Sequence, residues 1–403
     1  MKPSSTNAKR ISLMQMVICL LAVVPPLVMI QVLGCESKDT HREPLVFAGE
    51  CAPADPNAAA FERAVCLCEG LDDIGNGLST ESLATFLGHG PSPHRASVGI
   101  NGAVAAIGNL IVDGTLQVGQ SLSVIGNVRA KDALIVQENV TNAGRIKVDG
   151  DARIGGDLSG AGYFKTDQGL QVGGNLIYVG ALFYESLQRE ALGPEDKPCA
   201  CGPDQVIDVA RIVAGRKNAQ PLPLPSGVGH DRITLKSGEY YTKDDSSFLG
   251  NSILEVKGSV RLFVDADVRL IGNRLIHLAK DAQLDLYIAG SVESVGNFMA
   301  NFPDQETASR AVRIYIGGSN PVNLTVVGNE IFYGALYAPT ADVQFIGNLM
   351  VFGAVFARSI RGFGNVMVVY NGGITGESCE PIPPEPPAVD PICPPGDDTC
   401  PAG

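Results

Sequence analysis

The chain has 403 residues, of which 45% are apolar and 47 are glycine, with no tryptophan and a formal net charge of −13. That acidity argues against nucleic acid and anionic lipid headgroups as partners. The apolar share excludes a wholly disordered chain, and the length is enough for two or three ordinary domains.

At the amino terminus, Lys2, Lys9 and Arg10 precede an apolar run over residues 11–33, which ends in Val32-Leu33-Gly34-Cys35. A basic start followed by an apolar stretch is a targeting segment. The quartet resembles a bacterial lipobox, which implies cleavage after Gly34 and lipid on Cys35. The competing reading is an uncleaved transmembrane helix, since the run is long enough to span a bilayer. Pro25-Pro26 in its middle and the small Gly34 before Cys35 favour the lipoprotein. Glu36 follows where the commonest inner-membrane retention signal has Asp, so the expected location is the outer membrane, on its periplasmic side or surface. Loss of residues 1–34 removes three cations and no anion, taking the charge from −13 to −16.

Cys19 leaves with the signal, and eight cysteines remain besides Cys35: Cys51, Cys66, Cys68, Cys199, Cys201, Cys379, Cys393 and Cys400. An even number in an exported chain reads as a disulfide set whose connectivity spacing does not decide. Residues 35–50 are polar and charged and read as a tether. Residues 51–98 are expected to form an N-terminal cap, with a short helix near Phe61 and a first irregular coil around Leu71, Ile74 and Leu78.

Residues 99–182 divide into fourteen hexads, from GINGAV to IYVGAL. The sixth position is always apolar, and the second is apolar except at Asn142, Gly160 and Thr166. Apolar residues two apart share one face of a strand, and a glycine two residues later permits a corner. A short strand and a corner every six residues predict an all-β fold, a β-solenoid. Every third fourth-position residue gives the glycine column Gly108, Gly126, Gly144, Gly162 and Gly180, whereas the other columns admit Gln120, Glu138, Asp132 and Gln168. That pattern predicts three hexads per coil, about three short strands per coil, and positive φ along one corner.

Past Leu182 the hexads stop, and residues 183–229 are expected to be a helical insertion. Leu182 to Leu192 is one candidate helix. Pro203 to Ala214 is a better one, with Val206, Val209, Ala210 and Val213 on one face and Gly215 as C-cap. This helix is expected to lie against the side of the solenoid. Cys199-Ala200-Cys201 precedes it. Together with Cys66-Leu67-Cys68 it is expected to form disulfides from cap to insertion, which of the four pairs with which being open. A four-thiolate zinc site is the alternative, disfavoured by the single residue between paired cysteines and by export.

From 230 to 376 the β-helix is expected to continue with looser coils, punctuated by Gly250-Asn251, Gly272-Asn273, Gly296-Asn297, Gly328-Asn329, Gly347-Asn348 and Gly364-Asn365. Residues 377–403 are Pro-rich and acidic, a tail without a packed core.

The hexads resemble the bactofilin, or polymer-forming, β-helices. The segments SGEYY, LFVDADV, AQLDLYIAGSV, VRIYIGG and FYGALYAP resemble a β-helical domain of bacterial envelope lipoproteins and pilus-associated proteins. The resemblance implies a right-handed β-helix and leaves self-association open. Hexapeptide acyltransferases share the period but place glycine directly after the aliphatic residue.

For chemistry, residues eighteen apart stack on adjacent coils, so Asp149 lies over Asp167 as a candidate Ca²⁺ or acid pair, beside Lys147 and Lys165. The competing reading is a solvated ladder of ion pairs. A hydroxyl column, Ser123, Thr141 and Ser159, is too short to read as an ice-binding array. His41, His89, His94, His230 and His277 have no ligand spacing, and no nucleophile triad, phosphate loop or HExxH motif occurs. No catalytic, cofactor or metal set is expected. The expected function is a non-enzymatic, lipid-anchored scaffold or adhesive of the bacterial envelope, with an envelope protein or polysaccharide as partner. A carbohydrate-active β-helix enzyme is the alternative.

Overall fold

The computed structural model describes residues 58–375, apart from 91, 93, 194–195, 224–231, 244–245, 250–252, 272–273, 296–297, 302–309 and 318–321. All of these belong to one compact unit, Cys51–Gly403. The expected signal, Cys35, the tether, Cys51, His41, His230 and the tail with Cys379, Cys393 and Cys400 lie outside the described residues.

The hexads fold as a β-solenoid with an eighteen-residue coil. Strands Val104–Val112, Leu122–Ala130, Val140–Val148, Leu158–Thr166 and Leu176–Phe183 stack in parallel, and Val104, Leu122, Val140, Leu158 and Leu176 align. The third side is made by the short strands Leu116–Val118, Leu134–Val136, Ala152–Ile154 and Gly169–Val172. Each coil therefore holds one long strand and one short strand where three short ones were expected. The ladder runs unbroken through the glycine corner, because Gly108, Gly126, Gly144, Gly162 and Gly180 take φ of 146, 140, 144, 127 and 132°. That backbone suits glycine, and a Cβ on Gly126 would overlap the carbonyl oxygen of Gly108 in the coil before it.

The apolar hexad positions point inward. Val104, Leu110, Val112, Leu116 and Val118 of one coil are at most 1% exposed, and burying each contributes about 1.5–3 kcal/mol. The exceptions to the pattern have their own solutions. Thr166 donates its hydroxyl to the Gly150 carbonyl. Asn142, Gly160 and Tyr178 are successive members of one column. Gly160 leaves room for the Tyr178 side chain to reach past it, and Asn142 Nδ2 donates to Tyr178 Oη at 3.1 Å.

The order of coils departs from the order of the chain. Residues 65–82, expected to cap one end, form a coil in the middle of the stack. On one side, Val65–Leu67 and Leu71–Ser82 pair with Val98–Ile100 and Val104–Val112, the start of the hexads. On the other side they pair with the last strands of the fold: Val65 aligns with Val355, Leu71 with Ile360 and Leu78 with Val366. The second half of the β-helix thus does not continue from Leu182. It starts at the opposite end, with Gln220–Pro221 on Arg232–Thr242, and winds back until Tyr370 meets Ser82. Parallel strand edges are chemically alike from coil to coil, so a coil accepts any neighbour whose bends and inward residues match. The sequence does carry a sign of this: Ile74-Gly75-Asn76 repeats the Ile-Gly-Asn of the hexads at Ile107 and Ile125.

The two arms differ in regularity. In the C-terminal arm the pairings Ile233–Leu254, Val260–Leu284, Leu284–Val312 and Ile314–Leu336 give coils of 21 to 28 residues. The final run, Val322–Tyr370, bends at Gly328, Gly334, Gly347 and Gly364 with φ of 109, 129, 122 and 142°.

Between the arms the chain returns along one side. Leu182 to Leu192 is not helical: Ser186–Gln188 pairs with residues 169–171, stacking Leu187 on Leu170. The second expected helix is confined to Val209–Ala214. Asp208 makes it begin late by accepting from the Arg211 N–H at 2.9 Å, a side-chain N-cap, while residues 202–206 form a turn closed by Val206 N–H to Gly202 O at 3.1 Å. Gly215 is the C-cap, as expected. Val209 and Val213 are buried and lie on the β-helix side, where a Cβ on Gly317 would crowd Val209 at 2.7 Å.

Candidate functional site

The side that receives the return segment carries one outward-facing column through both arms. It begins with Tyr241, Phe263, Tyr287, Tyr315 and Tyr337, aligned coil upon coil. It passes through Phe356, Cys66 and Gly99 and continues as Gln117 and Ile135. Tyr287 stacks on Phe263 and on Tyr315 with ring centroids 5.2 and 4.6 Å apart. The Tyr337 hydroxyl accepts from Ile207 N–H at 2.8 Å and so docks the approach to the helix. Burial is the larger influence on that phenol, whose pKa is pushed up to about 12. Single-sequence reading missed this ladder, because its members are 22 to 28 residues apart and at no fixed spacing.

The four central cysteines meet on the same column. Cys66 is bonded to Cys199 and Cys68 to Cys201, with Cα separations of 5.7 and 5.5 Å. The alternating CxC spacing puts both cysteines of Cys66–Cys68 on one face of a strand, and the second CxC runs alongside. Asn101 fixes the alignment by donating to Cys199 O at 2.9 Å and accepting from Cys199 N–H at 2.8 Å. Gly99 is required beneath, since a Cβ would lie 3.0 Å from Cys199 Sγ. The sulfurs are spent on one another, which removes the zinc alternative for these four. The partner elements are as expected, but the disulfides tie the return segment to the central coil and not to an end cap.

The charged corner has the bland chemistry. Asp149 Oδ1 is 2.7 Å from Lys147 Nζ and its Oδ2 is 3.2 Å from Arg129 Nη2. Asp167 pairs with Lys165. Partial burial raises the Asp149 carboxyl, but the Lys147 and Arg129 hydrogen bonds outweigh it and hold the group below the usual carboxylate range. An acid catalyst needs the opposite shift. Asp113, at the start of this column, is buried; its carboxylate accepts from Ser82 N–H at 3.1 Å and pairs with Lys131. It staples the central coil to the hexad arm. Among the described residues no three His, Cys, Asp or Glu side chains are placed to hold a metal ion. His89 and His94 are exposed, and His277 sits in strand Arg274–Leu278.

The face preceding the glycine corner is different. Its outward columns in the hexad arm are Ala105, Ser123, Thr141, Ser159, Ile177 and Ile107, Ile125, Ala143, Ala161, Val179. No charge interrupts either column over five coils. Ile107 and Ile125 are 49% and 58% exposed, and the ridge resumes beyond the central coil at Phe363 and Ile346, both 59% exposed. The hydroxyl column noted in the sequence is half of this face, with Thr141 and Ser159 hydroxyls 3.4 Å apart.

Among known families, residues 199–376 match the model of a domain of unknown function, DUF7305, which covers less than half of the 403-residue chain. No curated protein matches the chain in sequence. The crystal structure of an ice-binding protein from an Antarctic bacterium, Flavobacteriaceae, aligns with 79% of this chain and 98% of its own, at 10% identity and a TM-score of 0.23. The β-helix described above stands on its own strand pairing.

Proposed function

We propose that this is a non-catalytic, lipid-anchored protein of a bacterial envelope whose β-helix acts as a scaffold and adhesive surface. The observation that carries the reading is the charge-free face over five coils of an acidic protein. An exposed apolar ridge of that kind marks an interaction surface. The residues that an enzyme reading would recruit support the same conclusion. Asp149 and Asp167 are each clamped by a lysine of their own coil, and Asp149 is held in its charged form. The lipobox-like Val32-Leu33-Gly34-Cys35 supports attachment through lipid on Cys35, with an envelope protein or polysaccharide as the material bound.

Two measurements test this. Cys35→Ser is expected to abolish lipid labelling and detergent partitioning; unchanged membrane association would favour the uncleaved helix. Retention of the purified chain on isolated envelope fractions is expected to fall several-fold in Ile107→Lys/Ile125→Lys and to be unchanged in Asp149→Ala/Asp167→Ala. Release of soluble sugar from envelope polysaccharide, lost in the aspartate variant, would establish the carbohydrate-active alternative instead.

A further inference from the structure

The hexad arm ends at a coil that nothing covers among the described residues. Among the described residues, strand Leu176–Phe183 has a registered pairing with Leu158–Thr166 alone, which leaves its other edge open. Its sequence, LIYVGALF, has no charge, no proline and no bulge, the devices by which edge strands are normally protected. Ile177, Val179 and Phe183 are 64%, 73% and 50% exposed, and the inward Leu176 and Leu182, whose counterparts one coil earlier are fully buried, are partly exposed. The opposite end of the stack is different, being finished by the short pairing of Gln220–Pro221 on Arg232–Thr242.

We propose that two copies of the chain join tail to tail through this edge, antiparallel, with Gly180 opposite Gly180 of the second copy. Three features select that occupant. The strand is bent at Gly180, where φ is 132°, so a second copy follows it only when the two bends coincide. In that register residue 179 faces 181 and residue 178 faces 182. Outward residues then meet outward ones and inward meet inward, whereas a shift by one residue would set Tyr178 against the outward face. The pairs so formed are Val179 with Ala181, Ile177 with Phe183, and Tyr178 with Leu182, all uncharged. For a chain of net charge −13, an uncharged edge is where two copies approach without repulsion. A contact between identical ends is isologous and closes as a dimer. Among the described residues the opposite end is unlike this one, its outer strand carrying Arg232, Lys236 and Glu239.

The test uses the full chain in detergent, with its mass measured by light scattering and corrected for the micelle. The wild type is expected to be a dimer. Ile177→Lys/Val179→Lys is expected to be a monomer with unchanged circular dichroism, while Ile107→Lys, on the same face away from the end, remains a dimer. Val179→Cys/Ala181→Cys is expected to yield a covalent dimer under oxidation, because directly opposed Cβ atoms lie within disulfide reach. A monomeric wild type, a dimer that survives the double lysine variant, or no cross-link between positions 179 and 181 would each overturn the proposal. Occupation of the edge by another segment of the same chain would appear as the monomeric wild type.

Discussion

The two arms solve the same packing problem by different means. The hexad arm repeats every eighteen residues, fills its interior with Val, Leu, Ile and Ala, and turns one corner with an unbroken column of glycine. The C-terminal arm has coils of uneven length, 21 to 28 residues up to Leu336 and shorter after it, and carries Phe263, Tyr287, Tyr315 and Tyr337 as a ladder that the return segment and its helix cover. Strict repetition lets each coil specify the register of the next. Where the repeat loosens, packing from outside the coil supplies what the repeat does not.

The largest expected effect comes from cutting into that outside support. Tyr315 is fully buried between Tyr287 and Tyr337. Tyr315→Ala should destabilise by about 3–5 kcal/mol, as large-to-small core changes do. Hydrogen exchange should quicken across residues 207–216 and 283–288 while residues 104–172 stay protected. Uniform loss of protection in both arms would show that they do not differ in this way.

The regular arm should break at its corner. Gly126→Val places a Cβ against the Gly108 carbonyl in a backbone that L-residues avoid, at a cost of about 3 kcal/mol. Gln120 stands at a neighbouring corner and is exposed, so Gln120→Val should shift the melting midpoint by less than about 0.5 kcal/mol equivalent. Equal shifts at the two positions would sink the distinction between the corners.

The link between arms is tested by its disulfides. Cys68→Ser/Cys201→Ser opens a bond between positions 133 residues apart and should cost about 2–4 kcal/mol. Non-reducing peptide mapping of the wild type should recover Cys66 with Cys199 and Cys68 with Cys201. The crossed pairs or free thiols would contradict the alignment set by Asn101.

The smallest effect is electrostatic. Burial raises the Asp113 carboxyl, but hydrogen bonds from Lys131 and Ser82 prevail and hold it below its ordinary value. A lowered folded pKa means stability that is present above about pH 4, the ordinary value for Asp, and lost as pH falls through the lowered one. Asp113→Asn should therefore lower the melting midpoint by an amount on the order of 1 kcal/mol equivalent at neutral pH, and the gap from wild type should close in acid. A gap that widens in acid would assign Asp113 a different role.

The local rules were legible in the residues alone. The alternation of apolar positions determined which side chains point inward, and glycine every eighteen residues determined the coil length and the corner that needs positive φ. Both depend on stereochemistry within one or two coils. The interior exceptions needed the structure, since Asn142 and Gly160 make sense only once Tyr178 is seen to reach across two coils between them. Residues 182–192 looked helical because strand Ser186–Gln188 shows no hexad glycine, yet Leu187 stacks on Leu170. The order of coils was decided entirely by tertiary structure. Backbone donors and acceptors on a parallel edge are the same in every coil, so periodicity states that coils stack without stating which is next to which. The match of Leu71 to Ile360 and Leu78 to Val366, in a coil that disulfides across 133 residues also tie to the return segment, is what sets the first coil of the chain in the middle of the stack.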